Sequence, residues 1–228
     1  MKIFFFPVTK LKRYGILFKN APEVCPMFRN LLKPDSPLMI TMNQITDCIF
    51  LSLFWLLGCF PVVTLGAAFA ALYDSVYYGF RKGDKHPWQR FASTFRENWK
   101  GGIVPTILFL AVLFGLGKGL IAIWNAAVYG QVSFALFSGA AFGGVLVVGM
   151  LSVLFPMLSR FENPLGQLLK NTVFLSMANL PRTLMLGMVN VLTAFVCIRY
   201  IFPLFFLPAL AALVGTLFIE PMFRPYLK

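Results

Sequence analysis

Long apolar runs alternate along this chain with short basic or proline-marked breaks. From Thr41 to Phe80 the sequence is apolar for 40 residues. One straight helix of that length would reach about 60 Å, twice the hydrocarbon thickness of a bilayer. Pro61 stands at its midpoint, so the run predicts a tight hairpin of two spans of about 20 residues each, with Trp55 near the outer end. Further apolar runs predict a third span over 103–125, a fourth over 134–159, a fifth over 183–200 and a sixth over 204–220, with Pro203 at an outer turn. The expected fold class is all-α, an integral membrane helical bundle of about six transmembrane helices. The expected parts are a basic cytosolic extension 1–40, a membrane domain 41–220 and a short cytosolic tail 221–228.

Two polar breaks carry their own periodicity. In 81–102, Asp84 is a helix-capping residue and Pro87 suits a first turn. Trp88, Phe91, Phe95 and Trp99 then recur at near-helical spacing, with Arg90, Arg96 and Lys100 between them. This predicts an amphipathic helix over 84–100 at the inner interface. A second, over 163–179, starts at Asn163-Pro164 with apolar Leu165, Leu168, Leu169, Val173 and Leu175. Each precedes a Pro-Thr or Pro-Arg-Thr opening to the next span (Pro105-Thr106; Pro181-Arg182-Thr183), a weak sign of internal duplication.

Charge orients this bundle. Eighteen of the twenty Lys and Arg residues fall on one side of the six-span reading, and Lys118 and Arg199 are the exceptions. The positive-inside rule makes the basic side cytoplasmic, with both termini inside. Composition agrees: 59% of residues are hydrophobic, 12% are charged and mean hydropathy is +0.78. The net charge of +12 flanks spans, where anionic lipids favour it, and no basic soluble module is present for nucleic acid. Residues 1–40 hold seven Lys or Arg and five prolines. The apolar stretch Ile3–Val8 is too short for a secretory signal and is interrupted by Pro7. Its Phe4, Phe5 and Phe6 suit either a lipid interface or a partner surface.

Candidate chemistry is sparse. There is no GxxxxGK[ST], HExxH or GxSxG, so we expect no direct ATP binding and no enzyme activity. Cysteines at 25, 48, 59 and 197 lack metal-ligand spacing, and no cofactor is expected. Cys59 and Cys197 both fall near outer span ends, as free thiols or as a disulfide. His86 is a helix-start residue or a pH sensor. Asp47 and Asp74 lie 14 residues before and 13 after Pro61, at similar depth in a hairpin. They are intramembrane charge candidates: a paired-acid site, or two acids near the inner edge that meet water or a basic loop residue such as Arg81 or Arg182. Lys118 and Arg199 lie in the outer parts of their spans, where long side chains reach phosphate. Gly66 with Ala70, Gly115 with Gly119, and Gly139 with Gly143 are spaced for close helix contact, or for lining a substrate path.

Several segments resemble, in order, the YesL-like family of bacterial membrane proteins. They are Phe54-Trp55-Leu56-Leu57, Pro61-Val62-Val63-Thr64-Leu65-Gly66-Ala67 and Ala71-Leu72-Tyr73. Trp88 to Asn98, Phe155-Pro156 to Asn163, Leu169-Lys170-Asn171 and Leu180-Pro181-Arg182-Thr183 follow. The resemblance covers about residues 34–220. Members are typically encoded beside carbohydrate ABC importers in Gram-positive bacteria, which implies a role with sugar uptake in the bacterial cell membrane. The chain has no EAA-type loop of an ABC permease.

The expected function is therefore a non-enzymatic accessory or regulatory subunit of a carbohydrate ABC importer. Its partners would be membrane lipid and the importer's permease subunits. The docking candidates are Phe4, Phe5, Phe6, Trp88, Phe91, Phe95 and Trp99. The alternatives are an independent transporter of a solute or lipid, and a membrane-bound sensor or scaffold.

Overall fold

The computed structural model describes residues 37–84, 86–161 and 164–224, with side chains from Met42 onward. Backbone contacts divide the chain into Met1–Ile45 and Thr46–Lys228. Of the first unit, the described part is Pro37–Ile45, the opening turns of helix α1. The description below concerns the second.

Eight α-helices follow in order among the described residues: α1 (Pro37–Cys59), α2 (Leu65–Val76), α3 (Pro87–Asn98), α4 (Ile103–Val128), α5 (Phe134–Arg160), α6 (Leu165–Ala178), α7 (Leu180–Arg199) and α8 (Leu207–Phe223). Four of them, over Met42–Cys59, Ile103–Val128, Phe134–Arg160 and Leu180–Arg199, are long and apolar enough to cross a membrane. Helix α8 is apolar but shorter. Helix α2 has 12 residues and is continued by a π-helical turn, Tyr77–Arg81. The six runs read from the sequence thus correspond to six apolar segments, two of them below full spanning length.

These segments pair as three antiparallel hairpins. Pro61 is extended (φ −80°, ψ 106°) and ends the first limb. The hydroxyl of Thr64 donates to the carbonyls of Gly58 and Pro61, each at 2.7 Å, and closes the tip. The α4–α5 tip turns at Gly130, whose φ of 72° suits glycine, and Ser133 caps α5 by accepting from the Ala135 amide at 3.0 Å. The α7–α8 tip is a 3₁₀ turn, Phe202–Phe205, containing Pro203.

The short helices α3 and α6 fold back along the limb that precedes them. Pro87 is level with Gly79, Thr94 with Asp74, and Gly102 with Ala67, so α3 runs antiparallel to α2. Leu168, Thr172 and Leu175 pack on Val153, Leu154 and Met157 of α5 in the same manner. His86, not Asp84, occupies the N-cap of α3. Asp84 instead accepts from the His86 amide at 3.2 Å. The apolar positions of α6 are divided between two faces: Leu168 and Leu175 are buried, while Leu165, Leu169 and Val173 are exposed beside Phe174 and Met177.

The next long helix then crosses the preceding limb at a glycine. The Gly66 amide, unpaired in the first turn of α2, donates to Thr106 Oγ1 at 2.8 Å, and Thr106 donates to the Gly102 carbonyl at 2.6 Å. A Cβ at Gly66 would stand 2.8 Å from that carbonyl. At the second crossing, a Cβ at Gly149 would collide with the Thr183 carbonyl, and one at Gly187 with that of Val145. Thr106 and Thr183 each stand nineteen residues after the proline that opens the short helix, Pro87 or Pro164. The two halves therefore share a packing plan: limb, short helix folded back, long helix crossing at glycine.

Not every small-residue pair is used this way. Gly115, Gly119, Gly139 and Gly143 have nothing within 4 Å of an added Cβ, so close contact within this chain is not their role. Spacing marks which helix face is small; it does not fix which face meets a neighbour. Around Phe69 an aromatic layer joins four helices, with Phe155 at 5.3 Å, Trp55 at 5.2 Å and Phe109 at 6.1 Å between ring centroids.

Candidate functional site

The second limbs of all three hairpins bring one charged residue each to their shared base: Asp74 from α2, Arg160 from α5 and Glu220 from α8. Arg160 Nη2 donates to Glu220 Oε1 at 2.9 Å, and its Nε lies 3.7 Å from Asp74 Oδ1. Tyr73 Oη donates to the same Glu220 oxygen at 3.1 Å. Helix α3 completes the cluster. Arg90 Nε and Thr94 Oγ1 both donate to Asp74 Oδ2, at 2.8 and 3.1 Å. Arg90 also reaches Asp84, at 3.5 Å.

Two arginines thus answer two buried carboxylates. The side chains of Asp74, Arg160 and Glu220 are 6%, 11% and 12% exposed, and that of Arg90 is 33% exposed. Such a cluster is strongly destabilised by removing one member, because the remaining charge is stranded. The π-helical turn adds the aromatic floor. Its wider ring brings the consecutive Tyr77 and Tyr78 towards the same guanidinium groups. Arg90 lies 3.4 Å from the Tyr78 ring centroid, and Arg160 lies 4.2 Å from that of Tyr77.

A pocket of about 660 Å³ opens beside this cluster. It is lined by the buried Asp74, the partly buried Arg90 and Arg160, and the exposed His86, Gln89, Ser93 and Glu97. The arrangement offers fixed hydrogen-bond donors and acceptors. Its most buried ionised groups are already engaged with one another. Among the described residues, no group of three His, Cys, Asp or Glu side chains is arranged to hold a metal ion.

The residues singled out from the sequence fall in different places. Asp74 is central to the cluster, but its partners are Arg90 and Arg160, not Arg81 or Arg182. Arg81 is exposed, and Arg182 donates to Asn179 at 3.2 Å. Asp47 is half-buried in α1 and forms no ion pair among the described residues, so the two acids do not share a site. Phe91 is buried against Phe54 and Phe95, at 6.1 Å from each. Phe95 is partly buried beside Gly58. These two hold α3 to the first hairpin. Trp88 and Trp99 remain 49% and 51% exposed, and their eleven-residue separation puts them on one face of α3. Phe4, Phe5 and Phe6 lie outside the described residues. Cys48, Cys59 and Cys197 are free thiols, so no disulfide joins the last two.

Sequence reading missed Arg160, Glu220, Arg90, Tyr73 and Tyr78 as members of one site. A usable signal was present: the base end of each second limb carries one charge, and the three are not of one sign.

An all-helical architecture with four helices able to cross a membrane defines the general class. Within it, residues 48–117 match a family model described as a protein of unknown function, DUF624. The match runs from α1 through the first crossing into α4, and so includes Gly66, Asp74, Arg90, Thr94 and Thr106. No curated protein and no solved structure matches the chain.

Proposed function

We propose that this is a YesL-like, non-enzymatic accessory subunit of the bacterial cell membrane, associated with a carbohydrate ABC importer. Its three hairpins supply about six membrane segments, with tips outside, bases in the cytosol and both termini cytoplasmic. The observation that carries this reading is the mutual pairing of Asp74, Arg90, Arg160 and Glu220. Ionised groups that answer one another fasten helices together and do not stand free to carry a solute. Such a rigid base is suited to hold a docking surface. The exposed Trp88–Trp99 face of α3 is the surface we assign to the partner at the cytosolic side. A partner that prefers one state of an importer shifts its population, which is how an accessory subunit regulates.

The test is mild-detergent purification of the tagged full chain from its host, with mass spectrometry and native sizing. Stoichiometric recovery of ABC permease subunits, lowered by Trp99→Ala, is the expected result. Recovery of the protein alone overturns the reading. The pocket beside Arg90 favours a second reading, an independent transporter of a small polar solute. Solute flux into liposomes containing only this protein, lost in Arg90→Met, would establish that instead.

A further inference from the structure

Lys118 lies in the middle of the least buried of the four long apolar helices. Helix α4 runs to Val128, three residues past the end expected from the sequence. Its 26 residues make about 39 Å, and Lys118 sits about 4 Å from its midpoint. Centred and upright in a hydrocarbon layer of about 30 Å, the helix would hold Lys118 about 11 Å below the outer boundary, beyond the roughly 6 Å reach of a lysine side chain.

Among the described residues nothing neutralises this charge. Its Nζ lies 5.5 Å from the centroid of the Phe114 ring, and among the described residues it forms no ion pair. The sequence has no Asp or Glu over 48–73, 98–161 or 163–219. The upper parts of all three hairpins are therefore free of carboxylates. A second copy packed on α4 would bring no acid to Lys118, and a symmetric contact would oppose two lysines. Among the described residues no carboxylate stands where it could complement Lys118, which points to a different protein as its source.

The helix face around Lys118 suits such a contact. Ala111, Gly115 and Ala122 lie within about 60° of it around the helix and are exposed, as are the larger Phe114 and Ile121 on the same face. Gly115 has nothing within 4 Å of an added Cβ. Small residues let a second helix backbone approach closely enough for a lysine and a carboxylate to pair out of water.

We propose that α4 is the docking site for a transmembrane helix of another protein, one that carries an Asp or Glu opposite Lys118 and lies on the Ala111–Gly115–Ala122 face. This rests on the membrane reading above and deepens it by naming the partner's chemistry.

The test is photocrosslinking in the host membrane, with a photoreactive amino acid replacing the neighbouring Ile121 in the full chain. Lys118, Lys118→Arg and Lys118→Met are compared. Lys118→Met removes a charge from an apolar span, and unchanged native sizing establishes that it folds. The expected result is a crosslink to a different membrane protein bearing a carboxylate within a span. Its yield falls about tenfold or more in Lys118→Met and is kept in Lys118→Arg. Pairing Lys118→Glu with a Lys at the partner's acidic position restores it. Equal yield in Lys118→Met, a crosslink between two copies, a partner without a span carboxylate, or no crosslink each overturns the proposal. Importer subunits that copurify regardless of Lys118 would leave the accessory reading standing and sink this one. An acid-bearing partner unrelated to an importer would do the reverse.

Discussion

Tyr73 and Glu220 are 147 residues apart in sequence, yet Tyr73 Oη donates a 3.1 Å hydrogen bond to Glu220 Oε1. The contact joins the first hairpin to the last. Arg160 of the middle hairpin donates to the same oxygen at 2.9 Å, so one carboxylate oxygen receives bonds from two other hairpins. Membrane helices gain little from apolar contact with each other, because lipid is as apolar as leucine. A shared polar cluster at the base gives these hairpins a reason to hold one arrangement.

Removing Arg160 should therefore cost more than removing any neighbour. Arg160→Met leaves the buried Glu220 with only the Tyr73 hydrogen bond, while Asp74 keeps Arg90 and Thr94, and we expect a loss of about 3–5 kcal/mol. Thermal unfolding in detergent, followed by size-exclusion chromatography, measures it. The double change Arg160→Met with Glu220→Leu should recover part of that loss. If the two single costs simply add, the residues do not act as a unit.

The glycine crossings predict opposite signs for one chemical change. Alanine is normally favoured over glycine inside a helix by about 1 kcal/mol. Gly149→Ala and Gly187→Ala should nevertheless destabilise strongly, since each methyl meets a backbone carbonyl across the crossing. Gly139→Ala and Gly143→Ala point into open space and should be neutral or mildly stabilising. Melting temperatures of the four variants in one detergent give the comparison, and a uniform sign would refute the assignment.

Thr106 holds the first crossing by two hydrogen bonds, accepting from the Gly66 amide and donating to the Gly102 carbonyl. Thr106→Val keeps the shape and removes both, leaving a buried amide unpaired at a cost of about 1–3 kcal/mol. Thr106→Ser keeps the hydroxyl and should retain most of the stability. Equal melting of the Val and Ser variants would show that shape, not bonding, matters there.

Topology is checked by single cysteines in a chain lacking its own. Gln131→Cys at the α4–α5 tip should react with an impermeant maleimide added to intact cells. Gln89→Cys on α3 should react only after permeabilisation. Labelling of position 89 from outside would overturn the orientation and the cytosolic docking surface with it.

The sequence by itself determined the elements. Pro61 splits the first apolar run where the structure turns, and the Ile103 and Phe134 starts of α4 and α5 fall where expected. Prolines, glycines and apolar run length act locally, so they are readable along the chain. The internal echo around Thr106 and Thr183 was also visible, although its meaning was not: both threonines mark a crossing at a glycine. What only the tertiary structure decided was which faces meet. Asp74 could be placed near the base from its distance to Pro61, but its partners lie on α3 and on α5, far along the chain. Gly115 with Gly119 and Gly66 with Ala70 look alike as spacings, yet only Gly66 faces a crossing helix. The angle at which a long helix leaves its crossing sets these pairings, and it depends on packing summed over many residues rather than on any local signal.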